Sequence, residues 1–257
     1  MTGAVDLNAD MGESFGPWTM GDDAALLKVV TSANIACGAH AGDPDVLART
    51  IEAAAGEGVG IGAHPGFADL QGFGRQRLSL PHDSLAHLIQ TQLGAAQAVA
   101  RAKGARVRHL KLHGAMANMA SEDKDMALAA YRAALAVDPD LIIMVLAGTA
   151  QHAAAKDLGC RTACEIFADR AYNDDATLVD RRLPGAVIHD PALAARRMVE
   201  MVSEGAIITE SGKRIQTRID TICLHGDTPE AVSIARETRR ALEASGLTVA
   251  KFPGERL

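Results

Sequence analysis

The stretch Val5–Glu13, VDLNADMGE, restricts the fold more than any other part of the chain. It alternates with a period of two, as a strand does. Val5, Leu7 and Ala9 fall on one face, and Asp6, Asn8 and Asp10 on the other. The apolar face needs a packed layer against it. The polar face carries two carboxylates and an amide, which cannot be buried unpaired without a large desolvation cost. That face must look into a polar space that other strands also reach.

Strand and helix signals alternate about seven times along the chain. After the first strand, strands are expected at Ser32–Ala36, Gly58–Ala63, Arg106–Leu112, Asp140–Ala147, Cys160–Ala168 and Ile219–Leu224. Apolar spacing predicts helices over Ala24–Val30, Asp45–Glu57, His82–Lys103, Met126–Val137 and Thr149–Leu158. Another helix opens at Asp190-Pro191, and a last one runs to about Ser245. Asp22 or Asp23, Asp43 before Pro44, and Asp227 or Thr228 are candidate N-caps. A loop at Gly114 leads to the helix through Met126–Val137. AIITESGKRIQT reads as a hairpin turning at Ser211-Gly212, and LTVAKF as one more short strand. DLIIMVLA (140–147) lacks alternation and suits a strand buried on both faces. Two long polar loops, HPGFADLQGFGRQRL and DRAYNDDATLVDRRLPGAVIHDP, follow the third and sixth strands. Loops of that length in a compact domain tend to carry function.

This pattern runs without a composition break, so residues 1–257 are expected to form one α/β domain with a parallel sheet. An open doubly wound sheet and a closed barrel both fit it. The parity of the polar residues decides between them. The first strand presents Asp6, Asn8 and Asp10, with Glu13 just beyond; the second presents Asn34, with His40 in its loop. The third ends at His64, and the fourth offers His109, Lys111 and His113 on the face of Val107. The sixth gives Glu165 and Asp169, followed by Arg170; the seventh gives Cys223, His225 and Asp227. Six of seven strands thus deliver His, Lys, Asp or Glu near the C-terminal end. Only a barrel brings all of those ends to one rim, so the expected architecture is a seven-stranded parallel β/α barrel.

Composition narrows the partners. The net charge is −6 with no Lys/Arg block, which argues against nucleic acid or an anionic membrane. No basic n-region opens the chain, and no apolar run approaches the roughly 20 residues of a membrane span. The four cysteines form no C-x-x-C pair and read as free thiols in a reducing cytoplasm. Asp with several His would suit zinc or manganese, but no H-x-x-x-H pair or H-E-x-x-H motif supports a metal. GFGRQR (72–77) offers backbone N–H groups and two guanidiniums suited to phosphate or carboxylate, without being a P-loop.

Six collinear blocks resemble the family of 5-oxoprolinase A subunits, also called the LamB/YcsF family. They are DLNADMGESFG (6–16), NIACGAHAGDP (34–44), GAHPGFADLQGFGR (62–75), KLHGAMAN (111–118), EIFADRAYNDDATLVDR (165–181) and LHGDTP (224–229). Ala9, Leu112 and Ala117 stand where the family tends to carry Cys, Pro and Tyr. The resemblance implies a distorted barrel of the glycoside hydrolase/deacetylase class. It also implies ATP-dependent opening of 5-oxo-L-proline to L-glutamate together with two partner subunits, B and C. ATP enters as co-substrate, and a divalent ion beside it lacks support from ligand spacing. On that reading the catalytic candidates are Asp10, Glu13, His64, Lys111, His113 and Asp169. Candidates for holding substrate or phosphate are Asn8, His40, Arg75, Glu165, Arg170 and His225. Two other readings stay open. One is a metal-dependent hydrolase or deacetylase on the same barrel, using Asp10, His40 and His64. The other is a non-catalytic protein that binds a small acid or carbohydrate, although aromatics at 3% offer little for sugar stacking.

Overall fold

The computed structural model describes residues 3–226 and 230–256. Seven parallel strands form a closed ring: β1 (Ala4–Met11), β2 (Ser32–Ala36), β3 (Gly60–His64), β4 (Val107–Lys111), β5 (Ile142–Leu146), β6 (Arg161–Phe167) and β9 (Thr221–Leu224). β9 closes it by pairing with β1 on one side and β6 on the other. Outside lie α1 (Asp23–Leu26), α2 (Pro44–Gly56), α3 (His82–Ala102), α4 (Gly114–Glu122), α5 (Lys124–Val137), α6 (Ala150–Leu158), α7 (Pro191–Glu204) and α8 (Ala231–Ala244). The hairpin is present as β7 (Ala206–Ile208) and β8 (Arg214–Gln216), turning through Gly212 at φ +84°. The expected last strand is β10 (Thr248–Val249), paired in parallel with the foot of β1, and β11 (Glu255–Arg256) pairs antiparallel with β6.

The caps read from the sequence hold where they can be seen. Asp22 accepts from the Ala25 N–H, and Asp43 from those of Asp45 and Val46 just before Pro44. Asp190 caps α7 in the same way. The Asp227 or Thr228 cap lies outside the described residues. Two local readings need correction. Residues after Gly114 are helical, not loop; their Ala and Met content favours a helix, which Asp123 ends by capping α5. Val107 does not share the face of His109 and Lys111. The β3–β4 pairing slips by one residue at Arg108, with Ile61 opposite Val107 and Gly62 opposite His109. This bulge turns Val107 out into the helix-covered core and leaves His109 inside.

The barrel interior has two sectors. On β5, Ile143 and Val145 pack outward, while Ile142 and Met144 pack inward with Ala163 and Phe252 from the C-terminal segment. Phe252 therefore stoppers the base on its apolar side. The other sector is a polar ladder. Asp6 accepts from the hydroxyls of Thr31, Ser32 and Thr221. Thr221 Oγ1 accepts from Asn8 Nδ2 at 2.7 Å, and Asn8 Oδ1 accepts from Asn34 Nδ2 at 2.7 Å. Asn34 Oδ1 accepts from His109 Nε2 at 2.8 Å. Gly62 makes room for that imidazole: a Cβ there would lie 2.1 Å from His109 Nε2.

The ladder can be tested at two points. Gly62→Ala is expected to destabilise the fold by about 1–3 kcal/mol or more, because His109 is pinned between Asn34 and Phe252 and cannot step aside. Thermal denaturation of the variant checks it. The second point is Asp6, whose carboxyl burial pushes up from 3.8 to about 6 despite its hydroxyl partners. The folded protein then holds this proton more tightly than the unfolded chain. Its contribution to stability falls as pH rises from about 4 to about 6. Asp6→Asn is expected to gain stability relative to the native chain across that window, by up to about 3 kcal/mol. Denaturant unfolding at a series of pH values measures the difference.

Candidate active site

Above the ladder the polar strand ends meet, as the parity argument requires. Lys111 Nζ, at the end of β4, lies 2.9 Å from Asp10 Oδ1 on β1, 2.9 Å from Glu165 Oε1 on β6 and 2.9 Å from Cys223 Sγ on β9. All four residues are buried. Asn34 Nδ2 also donates to Asp10 Oδ1 at 2.9 Å, so the ladder aims Asp10 from below. His64 Nε2 stands 3.3 Å from Asp10 Oδ2. Burial works against the Asp10 charge, but His64 and Lys111 outweigh it and hold its carboxyl well below the usual range. Burial likewise opposes the Lys111 charge, and Asp10, Cys223 and Glu165 more than offset it, so Lys111 stays protonated. Glu165 goes the other way: burial raises its carboxyl more than Lys111 lowers it. Two carboxyl groups on one ammonium thus have opposite tendencies.

A second cluster adjoins the first. His113 follows β4, His40 lies in the loop after β2, and Glu13 follows β1. The His40 and His113 rings stack with centroids 3.6 Å apart. Burial and neighbouring histidines push both imidazoles well below their ordinary range, so both are neutral. Glycines make the crowding feasible. A Cβ at Gly74, where φ is +62°, would come within 2.7 Å of His40 Cβ, and one at Gly66 within 2.6 Å of His40 Nδ1. The GFG of the long loop is therefore a seat for two imidazoles. Phe73, at φ +54°, turns its carbonyl onto His113 Nε2 at 2.8 Å.

These groups line the floor of a cavity of about 690 Å³. Asp10, Glu13, His64, Lys111, His113, Glu165 and His225 all reach it, with Arg75 and Arg170. Three expected site residues do not line this cavity. Asn8 is a rung of the ladder one layer down. Asp169 instead receives His225 Nδ1 at 2.8 Å, and so orients that ring. His40 lies behind His113 and faces a smaller cavity of about 390 Å³ beside Phe15, Trp18 and Met20. Arg170 is partly committed elsewhere, donating to the Val179 and Ala186 carbonyls and so folding the loop after β6. Arg77, the second guanidinium of GFGRQR, also reaches the wall, whereas the sequence reading missed Arg181, Arg182 and Asn118 there. Loop length pointed to the segments carrying the arginines, but not to individual side chains. It also missed the grouping of Glu13, His40, His64 and His113, which could hold a metal ion. Each comes from a different strand end, so no fixed spacing could reveal them.

Removing the central charge tests this arrangement. Lys111→Met keeps the side-chain length and leaves Asp10 and Glu165 without their cation. The expected loss is about 3–5 kcal/mol at pH 7. The loss should shrink toward pH 5, because the Glu165 carboxyl, raised by burial and now without Lys111 to lower it, takes up a proton more readily than a free carboxyl and relieves the repulsion. Denaturant unfolding at the two pH values measures both.

The family model for the LamB/YcsF family matches residues 5–256. A protein of Ruegeria pomeroyi that bears the name of the 5-oxoprolinase A subunit is 68% identical, over 96% of this chain and 98% of that one. One of the same name from Rhodopseudomonas palustris is 52% identical, over 97% of this chain and 99% of that one. The crystal structure of a lactam utilization protein from Thermus thermophilus superposes with a TM-score of 0.90 at 41% identity, covering 97% of this chain and all (100%) of that one. The catalytic domain of a peptidoglycan N-acetylglucosamine deacetylase from Eubacterium rectale shares the fold alone, at TM-score 0.55 and 11% identity over 99% of this chain and 92% of that one. With its barrel, its ordered motifs and these likenesses, the chain belongs to the LamB/YcsF family.

Proposed function

We propose that this chain is the ring-opening subunit of an ATP-dependent 5-oxoprolinase, which converts 5-oxo-L-proline to L-glutamate with two partner subunits, B and C. The observation that carries the reading is the pair of carboxyl groups with opposite tendencies on Lys111, at the floor of an arginine-walled cavity. The relatives' names and the lactam utilization protein agree with it.

A five-membered lactam is a poor electrophile. Transfer of the terminal phosphoryl group of ATP to its carbonyl oxygen would make the carbon attackable. Water then adds to that carbon and the C–N bond breaks as the nitrogen takes a proton, leaving an acyl phosphate, which a second water hydrolyses to the carboxylate and phosphate. Asp10, held ionised, suits the role of base for water. Glu165, which retains its proton more readily, suits the acid for the ring nitrogen. His64 and His113 adjoin Asp10 and Glu13 and hold those carboxylates in place. Asp169 fixes His225 at the wall. Arg75 and Arg170 are placed for the substrate carboxylate or the phosphoryl oxygens. The reading includes a cytoplasmic location and no nucleic-acid partner. No helix among the described residues is long and apolar enough to cross a membrane.

Mixing the chain with both partner subunits and following glutamate release with and without ATP tests the assignment. Release is expected only with ATP. Lys111→Ala, confirmed folded by circular dichroism, should lower kcat by about 10²–10³-fold. Turnover at the native rate would remove Lys111 from the chemistry, and binding without turnover in the full mixture would remove the enzymatic reading.

A further inference from the structure

The four side chains Glu13, His40, His64 and His113 pose a problem of protons. His64 Nδ1 lies 2.8 Å from the Lys111 carbonyl, and His113 Nε2 lies 2.8 Å from the Phe73 carbonyl. A carbonyl oxygen only accepts, so each ring must place a proton on that nitrogen. The other nitrogens, His64 Nε2 and His113 Nδ1, face each other across 3.0 Å, with Asp10 Oδ2 3.3 Å from His64 Nε2, so this contact has room for one proton. Glu13 Oε1 lies 3.5 Å from His113 Nδ1 and 3.5 Å from His40 Nε2. His40 is 1% exposed, and neither of its ring nitrogens makes a hydrogen bond to any described residue. One donor atom from each of the four residues fits within 4.8 Å of the others. A shared proton bridges two such atoms; it cannot serve four.

We propose that these four residues form a binding site for one divalent metal ion of the zinc class, with three imidazoles and one carboxylate as ligands. Ligands about 2.0–2.1 Å from a tetrahedral ion lie about 3.3–3.4 Å apart. Three of the six separations, 3.0, 3.5 and 3.5 Å, bracket that edge length, and since the His40 and His113 rings stack in parallel, one of them must rotate for both lone pairs to meet the ion. The ligand types match as well, since imidazole with a carboxylate favours zinc, cobalt or nickel over magnesium or calcium. Outer contacts are also those of a metal site. Ligating histidines usually donate their second ring N–H to a carbonyl or carboxylate, as His64 and His113 do here. Such an ion would tie the end of β3 to the chain segments that follow β1, β2 and β4.

The site makes no assumption about substrate, so it can fail while the proposed reaction stands, and the reverse. The full chain, stripped with a chelator and free of partner subunits, would be titrated with Zn²⁺ and with Co²⁺. The expected result is one ion per chain, visible Co²⁺ absorption of a four-coordinate site, and a raised Tm. His40→Gln and His113→Gln should each weaken binding more than about 100-fold, beyond the loss typical of an outer-contact residue. His189→Gln, at an exposed histidine, should bind as the native chain does. Absence of stoichiometric uptake by the native chain overturns the proposal, whatever the variants do. So does a weak six-coordinate Co²⁺ spectrum, or uptake undiminished in folded His40→Gln and His113→Gln.

Discussion

A single buried ammonium governs the upper half of this barrel. Lys111 sits where water cannot solvate it, and its charge is tolerable only beside anions. Those anions come from β1 and β6, which lie on either side of the short closing strand β9. An open sheet could not have supplied both with Cys223 between them. Closing the ring and satisfying the lysine are therefore one physical problem with one solution.

The ladder beneath gives this centre its orientation. His109 must donate through Nε2 to Asn34 Oδ1, which turns the Asn34 amide nitrogen toward Asn8 and Asp10. Asn8 in turn must direct its own nitrogen to Thr221, whose hydroxyl donates to Asp6. Each group's choice of donor or acceptor follows from the one before it. Burial holds His109 down to about 3, so the ring stays neutral and the sequence of dipoles does not reverse. A network so completely specified keeps Asp10 in one position, which catalysis by that carboxylate would need.

Much of this was legible in the residues themselves. The period of two in VDLNADM gave the inward face of β1, and the recurrence of polar residues at strand ends gave the closed ring. The apolar run at residues 140–147 is buried on both sides, as its lack of alternation indicates, and the reason is visible in the barrel: its inner face meets Phe252. What could not be read depends on contacts between distant segments. Nothing local announces the bulge at Arg108, which is set by how β4 fits beside the side-chain-free Gly60 and Gly62. Nothing local separates Asn8, a structural rung, from Asp10 two residues on. Nor does spacing reveal that His40 and His113 stack, because the glycines that seat them lie in a third segment.

The closing strand also dictates when the fold can exist. Asp6 and Thr221 bond across 215 positions of chain, and Lys111 meets Cys223 across 112. A ribosome must deliver the entire span from β1 to β9 before β1 can be joined to β6. Until then the nascent barrel is an incomplete ring with two unpaired edges and ionised groups facing a gap. Such topology is slow to assemble and vulnerable to wrong partners during synthesis.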